Sequence, residues 1–193
     1  MSDLVVGEDG RERCGWATSS PLYVTYHDEE WGRPVHGDQP LYERLVLEAF
    51  QSGLAWITVL RKRDNFRRAF DDFVPDCVAS YDERDVERLL ADEGIIRNRA
   101  KIEAAIANAR CVVELDGGLD ELLWSYAPAT SPPPAALEDV PATTPESTAM
   151  AKELRRRGFR FVGPTTAYAT MQACGLVNDH LARCFVRADL SGR

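Results

Sequence analysis

The sequence predicts an all-α protein built from short helices. Three observations predict it: apolar residues recur at helical spacing, helix start and stop residues flank those stretches, and sustained strand alternation between turn signals is scarce. With 193 residues, 45% of them hydrophobic, the chain is long enough for one substantial core.

Along the chain, Leu41, Tyr42, Leu45, Val46, Ala49 and Phe50 form a first stripe, opened by Asp38 and Pro40. Ile102, Ala105, Ile106, Ala109, Val112 and Val113 form a second. Between Pro128 and Pro145 the composition shifts to six prolines among Ala, Thr and Ser, which cannot carry a continuous helix and read as a surface connector. Thr144-Pro145-Glu146 opens a later helix, and Gly158 and Gly175 stand where helices should end. The stripes on either side of the connector are too few for two cores, so one cooperative fold is expected.

Charge and cysteine usage narrow the function. Lys+Arg (23) minus Asp+Glu (31) gives −8, which excludes a protein that coats nucleic acid by bulk charge and leaves only a local site. No apolar run approaches the roughly 18–20 residues of a membrane span, and the first ten residues lack a signal peptide's basic start and apolar middle, so a cytoplasmic protein without membrane contact is expected. The five cysteines (Cys14, Cys77, Cys111, Cys174, Cys184) are odd in number and scattered, which suits thiols or metal ligands better than disulfides.

Three groups of residues can carry chemistry. His180 and Cys184 are i and i+4, so on a helix they share a face; with Cys14 and His27 they offer a Cys2His2 set suited to closed tetrahedral zinc. Spacing leaves open whether the two pairs meet, and taken alone His180 and Cys184 fit a core histidine beside a buried thiol better than a metal pair. Leu154 to Ala167 reads as a helix ending at Gly158, a hairpin pivoting on Gly163 and a second helix starting near Thr165, a shape that presents backbone N–H groups to a phosphate. Basic clusters at 155–160, 61–63, 67–68 and 97–101 suit flanking phosphates or are only solvated helix faces. Trp16, Tyr23, Tyr26 and Trp31 fall within sixteen residues, and with Trp56 they supply either core or the walls for a flat purine. Glu48, an acid in the apolar run Leu45 to Phe50, either faces solvent or meets the edge of such a base.

Cys14-Gly-Trp16, Pro21-Leu-Tyr23, Tyr26-His27-Asp28, Glu30-Trp31-Gly32, Gln51-Ser-Gly-Leu-Ala-Trp56, Gly94-Ile-Ile-Arg97, Lys101-Ile102, Phe161-Val-Gly163 and Met171-Gln-Ala-Cys-Gly-Leu-Val-Asn-Asp-His180 together resemble the Tag-type 3-methyladenine DNA glycosylases. The resemblance runs from about Arg13 to about Cys184. It places a single domain at 13–187, with residues 1–12 as a flexible N-terminal extension and 188–193 as a tail. Ala100 stands where the resemblance leads one to expect glycine.

The resemblance implies an all-α fold of the helix–hairpin–helix glycosylase superfamily and one structural zinc ion on Cys14, His27, His180 and Cys184. It implies a base pocket of Trp16, Tyr23, Tyr26, Glu48 and Trp56, with Glu48 contacting the excised base. Ser52, Gly53 and Leu54 would enter the gap left by the flipped nucleotide, while the hairpin at Gly158, Gly163 and Thr165 would meet the DNA backbone. Superfamily members that cleave the strand carry lysine where Thr165 stands here, so no strand cleavage is expected. The usual catalytic aspartate aligns with Asn178, or with Asp179 if the alignment slips by one.

The implied partner is double-stranded DNA containing alkylated bases, with free 3-methyladenine as product and a monomer as the working unit. N3-methylation makes adenine cationic, so the glycosidic bond is weak and the base leaves neutral with little acid–base help. The alternative is a noncatalytic reader of alkylated DNA with the same fold. A zinc deaminase is disfavoured, since its His-x-Glu and Pro-Cys-x-x-Cys signatures are missing.

Overall fold

The stripe from Leu41 to Phe50 is buried throughout, and the molecule is arranged about it. The computed structural model describes residues 3–191. Two short strands, β1 (Leu4–Val6) and β2 (Glu12–Cys14), precede eleven helices among the described residues. These are α1 (Pro21–Glu29), α2 (Asp38–Gln51), α3 (Trp56–Leu60), α4 (Arg63–Ala69), α5 (Pro75–Ala79), α6 (Glu83–Ala91), α7 (Arg99–Val113), α8 (Gly118–Trp124), α9 (Pro145–Arg156), α10 (Pro164–Ala173) and α11 (Phe185–Ser191).

α2 is the spine and packs against α3, α5, α7, α8 and α10. Its buried face continues into Ile102, Ala105, Ile106, Ala109 and Val112 of α7, and the Tyr42 hydroxyl donates across to the Ala105 carbonyl at 2.8 Å. Val113, expected in that second stripe, is exposed because it is the last residue of α7 and lies past the edge of the core. Thr144 caps α9 as its sequence indicates: its hydroxyl accepts from the Ser147 N–H, and the Ser147 hydroxyl accepts from the Thr144 N–H. The segment from 128 to 144 carries no α-helix.

Gly175 ends α10 at φ +73°, and a Cβ there would sit 2.5 Å from the Arg33 carbonyl carbon. The close approach lets the Val35 N–H reach the Cys174 carbonyl (3.0 Å) and the Gly32 N–H reach that of Gln172 (3.1 Å). Gly175→Ala therefore combines a left-handed backbone with a backbone clash, and should lower unfolding stability by about 2–4 kcal/mol, read as a fall in urea midpoint at unchanged slope.

The chain ends differ from the sequence expectation. Residues 4–14, mostly assigned to a flexible extension, form an antiparallel hairpin with Leu4 opposite Cys14 and Val6 opposite Glu12. Three-residue strands are too short to show a period of two, which is why the sequence read as helical alone. The anchor is Arg13, 6% exposed, whose guanidinium donates to Asp9 (2.7 and 2.8 Å) and Asp28 (2.8 Å). The expected tail from 188 is helical through Ser191 as the end of α11. Residues 1–2 of the expected extension and 192–193 of the expected tail lie outside the described residues.

Candidate functional site

A second, smaller core joins the two ends of the chain. Cys14 at the end of β2, His27 in the last turn of α1, and His180 and Cys184 just before α11 are all buried, with their ligand atoms within 4.8 Å of one another. The His180 Nδ1 lies 3.2 Å from His27 Nε2, 3.6 Å from Cys184 Sγ and 3.9 Å from Cys14 Sγ; His27 Nε2 lies 3.4 Å from Cys184 Sγ. A tetrahedral ion with bonds of about 2.0–2.1 Å to nitrogen and 2.3 Å to sulfur would separate its ligands by about 3.3–3.8 Å.

The outer ring nitrogens settle the tautomers. His27 Nδ1 donates to the Asp28 carboxylate (2.7 Å) and His180 Nε2 donates to the Trp31 carbonyl (2.9 Å). Each imidazole therefore turns a bare lone pair inward, 3.2 Å from the other's and within reach of the two thiols, an arrangement that suits a cation. The Cys184 thiol is pushed well below its usual range, first by its hydrogen bond with Cys14 and then by the two imidazoles, toward the thiolate a metal requires. The pairs left open by spacing do meet, and the cluster can hold one metal ion.

Trp16 and Trp31 carry this cluster into a neighbouring cavity. Trp31 packs edge-on against His180 (ring centroids 4.7 Å), Trp16 packs against His27 (5.4 Å), and the two tryptophans meet at 5.1 Å. The cavity, about 170 Å³, is lined by Trp16, Tyr23, Tyr26, Trp31, Glu48, Gln51, Trp56, Ala169 and Gln172. All five expected base-pocket residues line it together. Trp31, one of the rings that the sequence offered as core or purine wall, joins them; Gln51, Ala169 and Gln172 were not assigned to it from sequence, although Gln51 follows Glu48 by one helical turn. Tyr26 and Trp56 stack tilted at 5.5 Å, and the Tyr23 hydroxyl accepts from the Ile57 N–H at 3.0 Å, holding α3 to α1.

Polar atoms in the cavity want partners. Glu48 Oε2 and Trp56 Nε1 are buried without a hydrogen bond, as is Nη1 of Arg44, one turn before Glu48 on α2. Burial pushes the Glu48 carboxyl up to about 8, against an opposing pull from the Arg44 guanidinium. Arg44 is turned toward Glu30, whose carboxylate takes Arg44 at 2.9 Å and Arg63 at 2.6 and 2.8 Å.

Neither candidate for the superfamily acid faces this cavity. Asn178 Oδ1 accepts from the His180 N–H (3.2 Å), and Asp179 Oδ2 accepts from the Tyr168 hydroxyl (2.6 Å) and from Gln172 Nε2 (2.8 Å). Asp179 lines instead a separate cavity of about 490 Å³ beneath the proline-rich connector.

The expected DNA-facing residues divide. Ser52, Gly53, Leu54 and Thr165 line a third cavity of about 240 Å³ that shares Glu48 and Gln51 with the aromatic one. Gly158, at φ +97°, and Gly163, which precedes Pro164 at the start of α10, bound the turn after α9. The basic clusters are largely spent within the molecule: Arg99 pairs with Glu83, Glu87 and Glu103, Arg67 with Glu43, and Arg156 and Arg157 with Glu153. Lys101 is buried on backbone carbonyls. Arg61, Arg155 and Arg160 make no ion pair among the described residues.

A profile of the methyladenine glycosylase family matches residues 16–187. The chain is 47% identical over 178 residues to DNA-3-methyladenine glycosylase 1 of Escherichia coli (strain K12), covering 90% of this chain and 95% of that one. It is 41% identical to DNA-3-methyladenine glycosylase of Haemophilus influenzae (strain ATCC 51907 / DSM 11121 / KW20 / Rd), covering 89% and 96%. Among solved structures, 3-methyladenine DNA glycosylase I from Staphylococcus aureus, described for its recognition of 3-methyladenine, superposes with a TM-score of 0.86 at 32% identity, covering 90% and 95%. With a family profile spanning nearly the whole fold and relatives this similar over nearly their whole length, the chain belongs to the methyladenine glycosylase family.

Proposed function

We propose that this DNA repair glycosylase takes the 3-methyladenine it excises into the cavity between Tyr26, Trp56 and Glu48. The observation that carries the assignment is the pair of buried polar atoms without partners, Glu48 Oε2 and Trp56 Nε1, on the wall of a cavity otherwise lined largely by aromatic rings. A cationic purine supplies what is missing there: donors for the carboxylate, a ring-nitrogen acceptor for the Trp56 N–H, and a positive π-face for the rings.

The chemistry is hydrolysis of the N-glycosidic bond. The flipped base enters with its positive charge, Glu48 releases its proton to solvent and accepts hydrogen bonds from the base edge, and the glycosidic electrons leave with the base, which departs neutral and leaves the positive charge on the sugar. Water then adds to the sugar carbon and gives up a proton to solvent. No lysine stands at 165, so the protein forms no Schiff base and leaves the strand uncut.

Trp16, Tyr23 and Trp31 complete the walls. Ser52, Gly53 and Leu54, exposed beside the pocket mouth, form the wedge that fills the gap in the duplex. The hairpin around Gly158, Gly163 and Thr165 receives the DNA backbone, as a helix–hairpin–helix does. A Cβ at Gly163 would meet nothing within 4 Å, and its φ of −89° suits any residue, so a close approach from outside the protein explains glycine there. Zinc is the ion for Cys14, His27, His180 and Cys184: four protein ligands leave no open position, and the metal's contribution is to fasten the chain ends. The protein works as a cytoplasmic monomer built as a single domain. Among the described residues no helix is long and apolar enough to cross a membrane.

Incubation with methylated duplex DNA should release 3-methyladenine but no 7-methylguanine, without strand nicks. Trp56→Ala should slow the release by roughly 10- to 100-fold through lost stacking. Tight binding to alkylated DNA with no free base released would instead make the protein a reader of damage.

A further inference from the structure

Lys101 lies in the first turn of α7, placed there by Asn98, whose side chain accepts from the Lys101 N–H at 3.1 Å. Its ammonium is buried and donates to two backbone carbonyls, that of Phe50 at 2.8 Å and that of Ser52 at 2.7 Å. Both belong to the C-terminal end of α2, where carbonyls without helical partners concentrate negative potential.

The turn that follows has a defined conformation. Ser52 sits at φ −45°, ψ 116°, Gly53 at φ +83°, and the Leu54 N–H donates to the Gln51 carbonyl at 2.7 Å, which together make a type II turn over residues 51–54. Type I and type II turns differ by a rotation of their central peptide, here Ser52–Gly53. Lys101 holds the oxygen of that peptide. Because C=O and N–H point opposite ways across a trans peptide, the Gly53 N–H is turned away from Lys101. Leu54, 42% exposed, follows it at the rim of the cavity shared with Thr165 and Thr166.

We propose that Lys101 is a positioning residue for DNA engagement: by holding the Phe50 and Ser52 carbonyls it fixes the 51–54 turn so that Leu54 and the Gly53 N–H face the gap in the duplex. The proposal rests on the reading of this turn as the wedge. Lys101 is not among the residues that line the base pocket.

Two affinities separate these roles. Binding of free 3-methyladenine, followed by tryptophan fluorescence, uses the pocket alone; preference for duplex DNA with an abasic-site analogue over intact duplex uses the turn. Lys101→Met should keep the free-base affinity within about twofold and lose roughly tenfold or more of the abasic preference and of single-turnover excision. Gly53→Ala, which meets nothing within 4 Å but disfavours φ +83°, should show the same split and also serves if Lys101→Met does not fold. The double variant should lose little beyond either single change, since both act on one peptide. Parallel loss of free-base binding, retention of the full abasic preference in either variant, or additive losses would overturn the role of Lys101. A wild-type protein that binds intact and abasic duplex equally would remove the wedge itself, and the proposal with it.

Discussion

Glu48→Gln leaves a folded protein that releases 3-methyladenine at least about 100-fold more slowly than wild type. The amide keeps the shape of the side chain and loses the charge that opposes the cationic base. In the free protein burial holds the carboxyl at about 8, so near neutrality the empty pocket contains mostly the acid form. A cation entering the pocket lowers that value and draws out the proton. Wild-type kcat/KM should therefore rise with pH up to about 8, following the free protein, while kcat is flatter; the Gln variant should lack the rising limb. A Gln variant with wild-type rates would remove Glu48 from the chemistry.

The same burial predicts a change in stability. The folded carboxyl holds its proton to about 8 against an ordinary 4.5, so between these values the native state binds more protons than the unfolded chain. Stability conferred below pH 4.5 is then lost as pH rises, by up to about 1.4 kcal/mol per pH unit, and the Gln variant escapes that loss. Denaturant titrations at pH 5 and pH 8 should show the variant gaining on wild type at the higher pH.

The second large effect is expected at the metal cluster. The protein as isolated should carry one equivalent of zinc, and Cys184→Ala or exhaustive chelation should lower the melting temperature by roughly 10 °C or more. Without a cation, the lone pairs of His27 Nε2 and His180 Nδ1 lie 3.2 Å apart with only the Cys14 and Cys184 thiols to donate to them. Trp16 and Trp31 rest on those imidazoles, so free-base binding should weaken together with the melting temperature. Metal-free protein with an unchanged melt in the Cys184 variant would show the cluster to be an ordinary buried core.

What could be read from sequence was what periodicity and motif express. The stripe from Leu41 to Phe50, the Thr144 cap and the turn at Gly158 follow from spacing and residue type. The five aromatic and acidic pocket residues follow from the family resemblance. Arg44 and Gln172 were illegible because each is set by a distant partner, Glu30 in one case and Asp179 in the other. The arginine-rich stretches stayed ambiguous for a related reason. A run of cations shows charge but not where the opposing carboxylates fold, and Glu83, Glu87 and Glu103 close on Arg99 only in three dimensions.

The span of the metal cluster also orders assembly. Cys14 and His180 are 166 residues apart in the chain, so bringing them together carries nearly the largest loop-closure entropy this sequence can present. Helices whose neighbours are near in sequence, such as α9 and α10, need no such closure. An ion bound there would therefore be captured after the body has formed, and refolding followed by zinc uptake should lag refolding followed by helix content. In this chain a metal would act as a late latch and not as a nucleus.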